Sequence, residues 1–161
     1  PESHMKQDRF LMAILAGIGI LVVISLTIFL VRRQQITYLP EDTPSAVVHN
    51  YVVALQSGDF ERAHGYLADA AGRPSLQAFR DVFLMKQLQP GQASLKLGET
   101  FISGEQATVQ LTVIQGDSGL VGSSYRQNDR ATLEQQNGVW KIRYLPYPYF
   151  NWDWFQEEIK K

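Results

Sequence analysis

The chain of 161 residues has no cysteine. That absence removes disulfides, thiol nucleophiles and thiolate metal ligands, although it leaves the redox compartment open. A strong charge of either sign is also missing, with 15 basic side chains against 16 acidic ones. A nucleic-acid binder would carry a basic excess or stripe, so nucleic acid is not an expected partner. Histidine is scarce: His4, His49 and His64 lie far apart, and no two have the i, i+3 or i, i+4 spacing of a helical metal site. Neither a metal nor a cofactor is expected. There is no internal repeat or low-complexity block, and no glycine loop leads into Gly-Lys-Ser/Thr, as a phosphate-binding loop would.

Long apolar runs, by contrast, are present once. "FLMAILAGIGILVVISLTIFLV", Phe10 to Val31, holds 22 residues and no charge. At about 1.5 Å per residue it reaches about 33 Å, enough to cross a hydrocarbon core. It exceeds the apolar core of a signal peptide, and "RRQQITYLP" after it has no small-residue cleavage site. A retained single-pass helix in a bacterial cell membrane is expected over residues 10–31. Residues 1–9 form a short head, of which 1–4 read either as a tag remnant or as natural sequence. Lys6 and Arg9 before the span balance Arg32 and Arg33 after it, and a free terminal amine tips the head towards the cytoplasm. The rest of the chain is then extracytoplasmic.

A polar linker, residues 32–42, leads into a globular pattern over residues 43–148. Thr43 and Pro44 open a helix whose Val47, Val48, Tyr51, Val52 and Leu55 share one face, and Gly58 suits its end. Asp59 caps a shorter helix, "FERAHGYLA", and Ser75 a third, "SLQAFRDVFLMKQLQPG", running to Pro90 with Leu76, Phe79, Val82 and Phe83 turned inwards. The period then changes to two. "ASLKLGETFIS", "QATVQLTVIQ", "DRATLEQQ" and "VWKIRYL" alternate as half-buried antiparallel strands, and Asn137-Gly138 signals a hairpin. Helices followed by a meander define an α+β domain.

The run "ALQSGDFERAHGYLA", a third helix and a meander ending in "GVWKIRYLP" resemble the nuclear transport factor 2-like superfamily, also called cystatin-like or SnoaL-like. The resemblance covers Thr43 to about Pro148. It implies a cone, in which three helices pack on a strongly bent antiparallel sheet wrapped round the first, with a pocket at the open end. Enzymatic members resemble one another in placing an Asp, His or Tyr acid–base group in that cone. The ligand-pocket candidates here are His64, Tyr66, Asp81 and Tyr125, whereas His49 falls on the exposed side of its helix. No acid–base pair maps onto these positions, so no catalytic residue is assigned. "GDSGL", Gly116 to Leu120, is similar to the serine-nucleophile stretch of trypsin-like proteases. It lacks the histidine and aspartate partners and the double barrel, and reads as a loop in which Gly116, Gly119 and Gly122 permit tight turns.

What remains is a tail, residues 149–161, preceded by two prolines that stop strand pairing. "YLPYPYFNWDWF", Tyr144 to Phe155, gathers seven of the chain's eighteen aromatics, too many for a passive end. Two uses are open. The rings of Tyr147, Phe150 and Trp152 could close the cone. Alternatively Tyr149, Trp152, Trp154 and Phe155 form a docking surface for a protein partner or the membrane interface. Trp140, in a strand with Ile142, is expected inside, and Trp152 and Trp154, two apart, share an outer face if extended. The preferred class is a non-enzymatic, membrane-anchored accessory or assembly subunit docking onto a larger membrane protein complex, with self-association left open. Its architecture is similar to the bitopic assembly factors of type IV secretion systems and to small subunits of bioenergetic complexes. The alternative is a protein that binds or converts a small apolar ligand inside the cone.

The orientation is checked with parallel C-terminal fusions to alkaline phosphatase and green fluorescent protein. Phosphatase activity without fluorescence is expected, and the opposite pattern reverses the topology.

Overall fold

A computed structural model describes residues 2–31, 37–116 and 124–156. The chain divides into two compact units, Pro1–Ile36 and Thr37–Lys161. The first holds one helix, α1 (Glu2–Val31). Its segment Phe10–Ile28 is long and apolar enough to cross a membrane, and none of it is buried against protein. The Thr27 hydroxyl donates back to the Val23 carbonyl at 2.7 Å, so this polar group has a partner within its own helix.

The second unit runs α2 (Pro44–Ser57), α3 (Phe60–Gly65), α4 (Leu76–Leu84), a 3-10 turn (Pro90–Gln92), then β1 (Ala93–Ser103), β2 (Gln106–Gly116), β3 (Ser124–Gln136) and β4 (Val139–Tyr144). This is the expected α+β order. Its helices begin where local chemistry tells them to. Thr43 Oγ1 accepts from the Ala46 amide, Asp59 from Arg62, and Ser75 from Ala78, each satisfying an orphan donor of a first turn. Gly58 ends α2 with φ of 76°, a left-handed position that glycine fills without steric cost. α4 stops six residues short of Pro90, because Lys86 turns left-handed (φ 58°). The Gln87 and Leu88 amides then both reach back to the Val82 carbonyl, which carries Leu88 into the core.

The four strands form one antiparallel sheet in the order β1-β2-β3-β4. Val109 pairs with Ala131, Ala107 with Leu133, Leu133 with Ile142 and Leu95 with Val113, so one face is apolar from edge to edge. That face, the apolar side of α2 and the rings of α4 make a single core. Register shifts between Leu97 and Thr100, and between Thr132 and Leu133, break the ladder at two points. Such irregularities bend and twist a sheet, as wrapping it round a helix requires. β3 starts at Ser124, earlier than the alternation indicates, since Tyr125 to Asn128 bury neither face. Gly119, Gly122 and the part of "GDSGL" beyond Gly116 lie outside the described residues.

The two edges of the sheet differ. β4 is covered: the Ile142 amide donates to the Tyr66 carbonyl at 2.8 Å and the Ala68 amide to the Ile142 carbonyl at 2.9 Å. β1 forms the opposite edge.

Candidate functional site

Among the described residues, no hydrogen bond or ring contact joins the pocket candidates to one another. His64 lies between α3 and the following loop, with Nε2 2.8 Å from the Pro74 carbonyl and its ring edge-on to Phe79. Arg73 Nη2 donates to the His64 carbonyl at 3.0 Å and approaches Nδ1 at 3.4 Å. The imidazole is thereby held between the Pro74 carbonyl and the Arg73 guanidinium, where it fastens the loop. Tyr66 serves a second knot: its hydroxyl donates to Glu41 at 2.7 Å and accepts from Arg62 Nε at 3.0 Å. The Arg62 guanidinium lies 3.6 Å from the centre of the Tyr38 ring. Burial pushes the Tyr66 hydroxyl above its usual pKa, against the opposing pull of Arg62 and with help from Glu41. Asp81 is half-buried on α4, and Tyr125 stands 64% exposed on β3.

A residue that no sequence pattern marked fastens the same entry segment. Asn50 is the one buried polar side chain among the described residues. It behaves as a strand neighbour would: Nδ2 donates to the Leu39 carbonyl and Oδ1 accepts the Leu39 amide, both at 2.8 Å. Its helical position falls beside the apolar stripe, and nothing local reveals which backbone will pass it.

The aromatic tail is where the structure departs most from expectation. Trp152 and Trp154 do not share an outer face. Residues 151–155 make a tight turn, with the Trp154 amide donating to the Asn151 carbonyl, so the two indoles diverge. Trp154 is 7% exposed and Trp152 81%. Tyr149 and Phe155, also expected to dock outwards, are buried, while Tyr147, expected inwards, is 59% exposed. Trp140 is inside, as its strand position implies.

The buried rings close the end of the sheet as one cluster. Phe79 is its centre, 5.2 Å from Trp154, 5.0 Å from Phe83 and 6.4 Å from Tyr51 between ring centroids. Phe150 adds Trp154 at 4.8 Å and Phe155 at 6.0 Å. Arg143 closes the far side over Phe155. Two phenols give the cluster its polar frame. Tyr51 donates to the Tyr149 carbonyl at 2.7 Å, and Tyr149 donates to the Ala93 carbonyl at 3.0 Å. Burial raises both pKa values, that of Tyr149 to about 12, so both remain protonated donors near neutral pH. The turn is pinned at its end: the Phe155 amide donates to the Gly72 carbonyl at 2.9 Å. Gly72 has φ of 79°, and a Cβ there would lie 2.7 Å from Phe155 Cα, so no larger residue fits.

Open grooves mark the described surface. One, of about 810 Å³, is lined by Gln92, Ala93, Ser94, Gln115, Tyr147 and Pro148 among others. A second, about 690 Å³, lies beside Phe101, Gln110, Asn128 and Arg130. The third, about 480 Å³, is framed by Val82, Leu88, Tyr144, Phe150 and Trp152. None of the three is lined by His64, Tyr66, Asp81 or Tyr125. Among the described residues no group of three or more His, Asp or Glu side chains gathers where a metal could be held.

No protein-family model and no curated protein matches the chain. Solved structures do resemble it. A SEC-C motif containing protein from Rhodopseudomonas palustris is 15% identical, covering 72% of this chain and 83% of its own, with a TM-score of 0.46. An NTF2-like protein with a cystatin-like fold from Novosphingobium aromaticivorans is 18% identical, covering 60% of this chain and 72% of its own, with a TM-score of 0.41. A putative calcium/calmodulin dependent protein kinase II association domain from Xanthomonas campestris is 14% identical, over 66% of this chain and 91% of its own, with a TM-score of 0.40. The likeness therefore includes NTF2-like, cystatin-like structures, and at these scores it says nothing about activity.

Replacing Trp154 by Ala should cost about 3–5 kcal/mol, as large aromatic truncations in cores do. Replacing Trp152 by Ala should change stability by less than about 1 kcal/mol. Thermal or urea melts of the two variants check this, and equal losses would contradict the opposed placement of the two rings.

Proposed function

We propose that this protein is a non-enzymatic, membrane-anchored accessory subunit whose extracytoplasmic domain joins a larger membrane protein complex. The observation that carries the reading is the contrast between the two edges of the sheet. Residues 66–68 cover β4, whereas β1 ends the sheet over eleven residues. Among the described residues no backbone segment pairs with the outer side of β1, and an edge of that kind offers donors and acceptors to an incoming extended segment. Along β1, Leu97, Phe101 and Ile102 are exposed, which gives a visiting strand apolar side chains to cover. The filled interior supports the same reading. Trp154, Phe150 and Phe79 pack against one another inside the domain, so the small-ligand alternative has less to rest on. The helix α1 supplies the anchor.

Native mass spectrometry of the protein purified in mild detergent tests this. One or more larger membrane proteins should accompany the wild type in fixed ratio. The exposed positions Phe101 and Ile102, changed together to Asp, should abolish that association while shifting the melting curve little. A retained small molecule with no accompanying protein would favour the ligand-binding alternative instead.

A further inference from the structure

The face of the sheet turned away from the core carries a group of cations that the fold does not use. Ala107, Val109, Leu111 and Val113 point into the core, so Thr108, Gln110, Thr112 and Ile114 point outwards, and residues paired across a ladder share a face. The register sets Lys96 and Asn128 on either side of Thr112, Arg130 opposite Gln110 and Arg126 opposite Ile114. Lys96, Arg126 and Arg130 therefore all stand on the outer face, and all are exposed. Arg62, Arg73 and Arg143 each meet a carboxylate within the domain. Among the described residues these three cations have no ion pair.

Asn128 is the centre of the group. Same-face neighbours on a strand lie about 7 Å apart and adjacent strands about 5 Å, so Arg126 and Arg130 flank it while Lys96 lies about 10 Å across. Its Oδ1 accepts from Thr112 Oγ1 at 3.0 Å, which leaves Nδ2 free to donate outwards. The second groove opens beside it, lined by Gly98, Phe101, Gln110, Asn128 and Arg130 among others. The nearby acids do not cancel this charge. Asp129 is opposite Leu111, on the other face, where the Arg130 amide and Gln127 hold its carboxylate. Glu134 is taken by Arg143, and Glu99 stands exposed at the edge, in the bulge of β1.

The chemistry of an occupant follows from this layout. It is anionic, because unpaired cations gathered on one face attract opposite charge. The cations are spread over two same-face steps of β3, too far apart for one small anion. Carboxylates on alternate residues of an extended segment recur at that same step of about 7 Å, and arginine forks match them. Phe101, opposite Thr108 and so on the same face, is 54% exposed and offers an apolar contact that a bare anion cannot use. Glu99 at the rim repels a uniformly charged polymer such as nucleic acid.

We propose that the outer face of the sheet binds an acidic segment of a protein partner, with Lys96, Arg126 and Arg130 meeting its carboxylates, Asn128 donating between them and Phe101 covering an apolar side chain. This rests on the docking part of the proposed function, to which it adds the partner's chemistry. The probe is a fluorescein-labelled peptide of alternating glutamate and alanine with one phenylalanine, titrated with the full chain in non-ionic detergent and read by anisotropy. Binding should be seen at low salt and weaken as sodium chloride rises. Arg126→Glu combined with Arg130→Glu should weaken it by about tenfold or more, since two attractions become repulsions. Arg80→Glu, an exposed change on α4, should weaken it less than about twofold, and all variants should melt as the wild type does. No binding of the peptide, or equal losses from the two charge changes, overturns the proposal. Tighter binding of a labelled oligodeoxynucleotide overturns it in favour of phosphate. Self-association of the wild type that the Arg126/Arg130 change abolishes overturns it in favour of a second copy of the chain. Larger membrane proteins that accompany this variant as they do the wild type overturn it and leave the docking reading standing. Peptide binding as expected, with no membrane protein accompanying the wild type, supports the acidic preference and sinks the docking reading instead.

Discussion

The bond from the Tyr51 hydroxyl to the Tyr149 carbonyl joins residues 98 apart in sequence and sits fully inside the domain. Much of the closed end of the fold follows from it. A phenol at the centre of an apolar helix face must find an acceptor, since an unpartnered buried hydroxyl is expensive. The acceptor it finds belongs to the tail, which is thereby drawn across α2. Tyr149 then extends the chain of donors to the start of β1, so that one relay ties helix, tail and sheet. The rings on either side, Phe150 and Trp154, fill the space this placement leaves beside Phe79.

That arrangement explains why a tail so rich in aromatics is compatible with a soluble domain. Most of its rings are structural and only a minority face outwards. Two of the candidate pocket residues are engaged elsewhere. His64 and Tyr66 are spent on holding loops, through Pro74 and Arg73 in one case and Glu41 and Arg62 in the other. What the surface still offers is contact chemistry. Among the described residues β1 is an unpaired strand edge and Trp152 an exposed ring, and the N-terminal unit holds a helix able to cross a membrane.

The parts of this structure legible in the sequence are those written locally. Thr43-Pro44, Asp59 and Ser75 each carry a helix start in their own side chains, and the alternation from Ala93 to Leu97 and from Gln106 to Val113 is uninterrupted. Asn137-Gly138 turns the last hairpin with both residues at positive φ, as that dipeptide favours. What was not legible depends on distant partners or on a change of conformation. The spacing of Trp152 and Trp154 implies a shared face only if the chain is extended, and the turn from Asn151 cancels it. Asn50 looks like a defect in an apolar stripe until Leu39 is placed beside it. α4 ends early because Lys86 adopts a left-handed conformation that its identity does not announce.

The central claim is that the tail is part of the core and not an appendage. Amide hydrogen exchange tests it most directly. The Phe155 amide, bonded to Gly72, and the Trp154 amide, inside the turn, should exchange only through global unfolding, at the rate of the β2–β3 ladder. Exchange of those amides as fast as exposed loops, with β2 and β3 still protected, would contradict the account.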